Sequence, residues 1–238
     1  MSWWWLGLAW ASDQDFQTAR NDHLELKWFR DSVEHQALST QIFGHALASV
    51  EAQRRELGRR DAWAVVVDID ETVLDNSPYF LELAAYGRSF DWPSWDAWCE
   101  RRTAEALPGA QTFVDGVRAA GGRVVWISNR HARTEASTRD NLRAVGLWSD
   151  SDGLCLMTDD EARTKRVRRE EVREGRASCG VEGQPARVLA YVGDTWGDLP
   201  QDDEDGGNQA QLGVRTFVLP NPLYGGWEHT VTRPDLRP

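Results

Sequence analysis

Apolar side chains recur at helical spacing through residues 24–50: Phe29, Val33, Leu38, Ile42, Phe43, Ala46, Leu47 and Val50. The pattern predicts one long helix or a helical pair, with a charged exit over 54–60 and Gly58 as its stop. From residue 63 the pattern changes. WAVVVDI (63–69), RVVWIS (123–128), GLCLM (153–157), RVLAYV (187–192) and VRTFVL (214–219) are short, continuous apolar runs. Such runs mark strands buried on both faces. Helical stretches lie between them. One, 108–120, opens with Pro108 in its first turn and ends in Gly121-Gly122; 131–145 stops at Gly146 and 161–174 at Gly175. Strands alternating with helices predict an α/β fold, a parallel sheet covered on both faces. Ligands of such sheets bind at the carboxyl ends of the strands.

Residues 76–107 break the rhythm and are rich in aromatics: Tyr79, Phe80, Tyr86, Phe90, Trp92, Trp95 and Trp98. They read as a helical cap inserted over the site. The acidic stretch DLPQDDEDGGNQ (198–209) reads as a solvated surface loop. There is no internal repeat and no low-complexity tract.

Composition narrows the function classes. At 238 residues the chain accommodates one large domain or a core with an accessory lobe. Its 41% apolar and 27% charged residues are those of an ordinary globular protein. A net charge of −11 argues against a nucleic-acid polymer as partner, because polymer binding needs a basic footprint. A small anionic substrate remains compatible if a metal ion and a few cations sit in the pocket. Cys99, Cys155 and Cys179 form no CxxC pair and no zinc spacing, and read as buried or idle thiols. No stretch is long and apolar enough to span a membrane. The start, MSWWWLGLAWAS, carries Ala9-Trp10-Ala11, similar to a signal-peptidase site, but no charged n-region. Two readings stay open: the tail of a signal peptide that begins upstream, or an apolar first turn packed on the body.

The chemistry gathers at strand ends. In VVDIDETVLDNSPY, Asp68 and Asp70 are two apart, so on an extended chain they share a face. Two such carboxylates need a cation or a shared proton. A hard divalent ion such as magnesium meets that need. Asp68 can then act as nucleophile and Asp70 as general acid and base. DxD alone is common in surface turns, so the neighbours decide. WISNR brings Ser128 and Asn129, a hydroxyl and an amide suited to phosphoryl oxygens, although a Ser at a strand end is often only a cap. YVGDTWGDL adds Asp194 and Asp198 after Gly193, which permits a sharp exit. Four clustered acids without a cation would be costly. Lys165 is one of only two lysines against 25 arginines, which suggests that a compact charge is wanted there. Other phosphate chemistries are absent: no Gly-Lys pair makes a P-loop, no cysteine has the downstream Arg of cysteine phosphatases, and the histidines have no ligand spacing.

DIDETVLDNSPY, ISNR, the Lys165 segment, VGDTWGD and the late LPNPLYGGWE together resemble the haloacid-dehalogenase (HAD) superfamily, subfamily IIIB. Within it the chain looks like the class C nonspecific acid phosphatases, the group of the bacterial lipoprotein-e phosphatase/5'-nucleotidase and the plant acid phosphatase-like storage proteins. The resemblance runs from about Leu26 to Glu228 and includes the helix around KWFRDSVEHQAL. It implies a Rossmann-like αβα core over 63–238 with its cap at about 76–107, a helical segment over 12–62, and a signal remnant over 1–11. It implies that Asp68 forms an aspartyl-phosphate and that Asp70 protonates the leaving oxygen and then activates water. Magnesium would be held by Asp68, the Asp70 carbonyl and Asp194, with Asp198 supporting the site. Thr72 and Ser128 would bond the phosphoryl oxygens, and Lys165 would balance charge. Trp95, Trp98 and Tyr224 are the candidates for a leaving-group pocket suited to a nucleobase, hence to nucleoside monophosphates. Trp196 and Leu199 depart from the family's fourth motif and put local packing there in question. There is no lipobox cysteine; the family's usual export favours a periplasmic or secreted protein, with a cytoplasmic one as the other option. A homo-oligomer, phosphoryl transfer to an alcohol, a different small phosphate substrate and a non-catalytic storage or binding role all stay open.

Overall fold

The computed structural model describes residues 11–58, 61–176, 179, 185–201, 204–205 and 211–229. The 1–11 segment, apart from Ala11, lies outside them. Three helices come first: α1 (Asp13–Asp22), α2 (Leu24–Asp31) and α3 (Val33–Arg54). The helical pair expected over 24–50 is therefore α2 and α3, divided at Ser32. The Ser32 hydroxyl accepts from the His35 N–H at 3.0 Å and caps α3. This restart moves Val33 out of the apolar stripe and leaves it 74% exposed, while Phe43, Ala46 and Val50 are buried.

The body then follows in order: β1 (Trp63–Val67), β2 (Leu74–Asp75), α4 (Ser77–Ala85), α5 (Trp92–Arg101), β3 (Glu105–Ala106), α6 (Ala110–Ala119), β4 (Arg123–His131), α7 (Glu135–Ala144), β5 (Gly153–Met157), α8 (Lys165–Glu174), β6 (Arg187–Gly193) and β7 (Thr216–Val218). Five strands form a parallel sheet in the order β5-β4-β1-β6-β7. The short β2 and β3 pair antiparallel outside it. The helix expected from Pro108 starts instead at Ala110, with Gly109 as N-cap at φ +89°; a Cβ there would meet the Thr40 backbone at 3.0 Å.

The alternation along β1 explains why the strand reads as one apolar run. Val65 and Val67 pack with Phe43 and Val50 of α3 and with Phe113 and Val117 of α6 on one face. Ala64 and Val66 pack with Val172 of α8 on the other. Side chains alternate across a strand, so a sheet covered by helices on both faces needs apolar residues at every position. The carboxyl ends of β1, β4 and β6 then open at one edge.

Two expectations need correcting. Cys155 and Cys179, read as buried or idle thiols, are buried but not thiols: they are joined in a disulfide with Cα atoms 4.7 Å apart, and Cys99 is free and buried. Cys155 sits on β5 and Cys179 follows α8, which packs on that face, so the contact is tertiary and their 24-residue separation does not reveal it. The acidic loop is not merely solvated. Glu204 is 4% exposed and accepts from Arg169 at 2.6 Å, and Asp205 accepts from Tyr191 at 2.6 Å and Arg215 at 2.7 Å. Arg169, buried on α8, needs a counter-charge, and this loop supplies it. Residues 202–203 and 206–209 lie outside the described residues. Leu199, the departure in the fourth motif, is fully buried against the α8 face, whereas Trp196 is 45% exposed. Among the described residues, no helix is long and apolar enough to cross a membrane.

Candidate active site

The site grows from the loop after β1. The Asp68 N–H donates to the Val192 carbonyl at 2.9 Å, continuing the β1–β6 ladder by one residue. The chain then turns back, with Glu71 in the left-handed region at φ +53°. The turn is held by the N–H groups of Val73 and Leu74, both donating to the Ile69 carbonyl at 2.9 Å. A non-glycine residue held at positive φ signals a constrained turn. It leaves Asp68 and Asp70 at the sheet edge, only 7% and 8% exposed.

Each neighbouring strand adds its part. The register of β4 on β5 slips between Ile127 and His131, and Ser128 and Asn129 sit in that irregularity. The Ser128 hydroxyl donates to Asp70 Oδ2 at 3.1 Å. After β6, Gly193 lets the next turn fold tightly back: a Cβ there would lie 2.3 Å from the Asp198 Cβ. Lys165 is the first residue of α8, capped by the Thr164 hydroxyl. Its Nζ donates to Asp68 Oδ1 at 2.7 Å and to Asp198 Oδ1. Asp198 Oδ2 accepts from the Thr195 N–H at 2.8 Å and its hydroxyl at 2.7 Å. Asp194 accepts from the Thr72 hydroxyl at 3.0 Å and from the Asn221 amide at 2.7 Å.

The electrostatics follow from burying so many charges together. Burial, then the charge of Asp198, pushes Asp68 up to about 7, although Lys165 opposes the shift. Burial and the charges of Asp198 and Asp68 raise Asp194 well above the usual carboxylate range. Asp198 is held low: burial works against it, but Lys165 and Thr195 outweigh burial. Lys165 is likewise raised, its two carboxylates outweighing burial. A divalent cation is the natural relief for the two raised carboxylates. Asp68, Asp194 and Asp198 each offer a carboxylate oxygen, and these atoms lie within 4.8 Å of one another. An all-oxygen donor set suits a hard cation.

Two cavities meet here. One, of about 450 Å³, is bordered by Asp68, Asp70, Ser128, Lys165, Asp194 and Asp198, among others. The second, of about 550 Å³, has aromatic walls: Phe80, Phe90, Trp92, Trp95 and Tyr224. Asp70, Asn129 and Tyr224 border both. Tyr224 is fixed by its hydroxyl, which donates to Glu71 Oε2 at 2.5 Å. Burial, then Asp70, pushes Glu71 up to about 8.

The structure thus brings together Asp68, Asp70, Ser128, Asn129, Lys165, Asp194, Asp198, Trp95 and Tyr224. Thr72 and Trp98 stand apart and border neither cavity. The Thr72 hydroxyl is fully buried and spent on Asp194. Trp98 is 4% exposed, and its indole N–H donates to Asn76 at 2.9 Å, behind Asp70 instead of in the pocket. Sequence reasoning missed Arg130, Asn76, Asn221, Arg168 and Glu71. Arg130 carried one visible signal: a charge two residues past the apolar run 123–128, and the structure buries it there. Arg168 fixes Asn129, donating to its Oδ1 at 2.5 Å and to the Ser128 carbonyl at 2.6 Å.

The doubly covered parallel sheet and the carboxylates gathered at its edge define a HAD-like fold. The family model of the HAD superfamily, subfamily IIIB (acid phosphatase), matches residues 10–227. The chain belongs to that family. A crystal structure of the class C acid phosphatase from Bacillus anthracis with tungstate bound is similar at TM-score 0.72 and 27% identity, over 91% of this chain and 92% of that one. Acid phosphatase 1 of Solanum lycopersicum is 29% identical over 165 residues, which is 69% of this chain and 59% of that protein. A stem 31 kDa glycoprotein of Glycine max is 29% identical over 178 residues, 73% of this chain and 63% of that protein. The chain thus spans about three fifths of the length of these plant relatives.

Proposed function

We propose that this protein is an acid phosphatase that hydrolyses phosphate monoesters through an aspartyl-phosphate on Asp68. The observation that carries the reading is a buried nucleophile paired with a buried cation: Asp68 Oδ1 lies 2.7 Å from Lys165 Nζ, beside Asp70, on one cavity. Membership of the acid phosphatase family supports the reaction class.

In the first half-reaction an Asp68 oxygen bonds to phosphorus as the bond to the leaving oxygen breaks, and Asp70 gives that oxygen its proton. In the second, Asp70 takes a proton from water as the water oxygen bonds to phosphorus and Asp68 is released. Lys165 faces the charge that builds on the phosphoryl oxygens. Ser128 borders the same space and is oriented by Asp70. Asp68, the Asp70 carbonyl and Asp194 would hold magnesium, which when bound supplies positive charge against the phosphate dianion. Asp198 is paired with Lys165, the same cation that bonds Asp68, which suits a supporting role.

The aromatic cavity supports an organic leaving group with a flat face, and we assign nucleoside monophosphates as the substrate class. Trp95 and Tyr224 are the residues on which this rests. Trp98, buried behind Asp70, is withdrawn from the set. Thr72 is assigned to steadying Asp194 instead of touching phosphate. The disulfide supports an oxidising compartment, hence export. A storage role without catalysis is disfavoured by the intact set of Asp68, Asp70, Lys165 and Asp194.

The test is phosphate release from 4-nitrophenyl phosphate and AMP, with magnesium and with EDTA. The reading expects metal-dependent release from both. A folded protein that releases phosphate from neither would overturn it.

A further inference from the structure

Asp70 is gripped on one side. Its Oδ1 accepts from Arg130 Nε at 2.9 Å and lies 2.8 Å from a second guanidinium nitrogen, Nη2. The same oxygen accepts from Asn76 Nδ2 at 2.9 Å. The grip is itself supported. Arg130 Nη2 donates to Asn76 Oδ1 at 3.2 Å, and Nη1 to the Thr138 hydroxyl at 3.3 Å. The Trp98 indole N–H donates to Asn76 Oδ1 at 2.9 Å. The Trp95 ring covers the guanidinium at 5.9 Å. Arg130 is 1% exposed and Asn76 0%, so bulk water cannot stand in for either.

Burying an arginine is expensive unless its fork is fully used. Here two of its nitrogens go to one carboxylate oxygen. Oδ1 thus carries two hydrogen bonds, from Arg130 Nε and Asn76 Nδ2, and the close guanidinium charge besides. Oδ2 carries the Ser128 hydroxyl at 3.1 Å, and Asp70 borders both cavities. An ungripped carboxylate would rotate about its last side-chain bond and exchange its two oxygens. The bracket prevents that exchange.

We propose that Arg130 and Asn76 are positioning residues that fix Oδ2 of Asp70 as the oxygen through which the proton moves. The proposal rests on the reading of Asp70 as general acid and base. The Asp70 Oδ2–H bond breaks as the leaving oxygen takes the proton and its bond to phosphorus breaks. The attacking water then returns a proton to Oδ2 as its oxygen bonds to phosphorus. A lysine at position 130 would keep the charge and lose the fork.

The experiment compares kcat/KM for two aromatic substrates that differ in their need for a proton. 2-Phenylethyl phosphate must expel an alkoxide, whereas 4-nitrophenyl phosphate expels a phenolate that leaves without help. Asp70→Asn is the reference. Arg130→Lys and Asn76→Ser should lose about 100-fold or more on the alkyl ester and less than about tenfold on the nitrophenyl ester, the range general acid catalysis covers. Trp98→Phe, which keeps an aromatic ring but removes the N–H that orients Asn76, should show a smaller loss of the same selectivity. If Arg130→Lys does not fold by circular dichroism, Asn76→Ser and Trp98→Phe decide. Equal losses on the two esters, or no loss, in the folded variants overturn the proposal while Asp70→Asn stays selective. Equal losses in Asp70→Asn itself would instead overturn the role given to Asp70.

Discussion

Lys165→Met removes the cation that holds the site together. The ammonium lies 2.7 Å from Asp68 Oδ1 and also bonds Asp198, and its side chain is 12% exposed. At an effective dielectric of about 20, one contact at 2.7 Å corresponds to roughly 6 kcal/mol, which is a ceiling. Relaxation and protonation of Asp68 reduce it, and breaking a buried pair typically costs about 3–5 kcal/mol. Urea unfolding of the metal-free protein near neutral pH should show a loss of that size. On turnover, removing one stabiliser of transition-state charge costs roughly 100- to 1,000-fold. Direction adds a sharper test. Lys165 is what opposes the upward shift of Asp68. Without it, Asp68 becomes a carboxylate only at higher pH, so the acid limb of kcat/KM should move to higher pH. Lys165→Arg should not restore activity, because a planar fork cannot fill the place of a point charge between two carboxylates. Activity of Lys165→Met within about threefold of the parent, with an unmoved acid limb, would refute the reasoning.

Three further outcomes follow from the same structure. Trp95→Ala should lower kcat/KM for AMP roughly 3- to 10-fold more than for 4-nitrophenyl phosphate, the scale of an aromatic contact, and equal losses would remove the stacking role. Asp68 and Glu71 are pushed up to about 7 and about 8, so the native state keeps protons that the unfolded chain releases above pH ~4. Their contribution is present at acid pH and lost as pH rises through those values; the Tm of the metal-free protein should therefore fall between about pH 4 and 8 and fall less with magnesium, and a rising Tm would contradict this. Reducing the Cys155–Cys179 bond should cost about 2–4 kcal/mol of stability in urea unfolding, and an unchanged midpoint would show that the bond restrains nothing.

The sequence reveals most about residues whose role is dictated by position along a strand. Asp68 and Asp194 directly follow or end apolar runs, and a buried parallel strand can present a carboxylate only at its end. The sheet itself was legible because β1 must be apolar at every position when helices cover both faces. What stayed hidden depends on side-chain direction. Trp98 and Trp95 lie on the same short helix, yet one borders the aromatic cavity and the other supports Asn76. Thr72 carries the hydroxyl expected of a phosphate ligand but turns it to Asp194. Arg130 passed as the tail of ISNR because only the fold shows that its guanidinium points back under Asp70. The disulfide and the pairing of Glu204 with Arg169 are contacts between distant segments, which no local pattern encodes.

The central claim is a covalent phosphate on Asp68. Steady-state turnover of 4-nitrophenyl phosphate, quenched in acid and treated with borohydride, converts an acyl phosphate to an alcohol that peptide mass spectrometry locates. The account expects homoserine at position 68, absent in a folded Asp68→Asn variant that has also lost turnover. Reduction at another carboxylate, or a folded Asp68→Asn variant that still turns over, would contradict it.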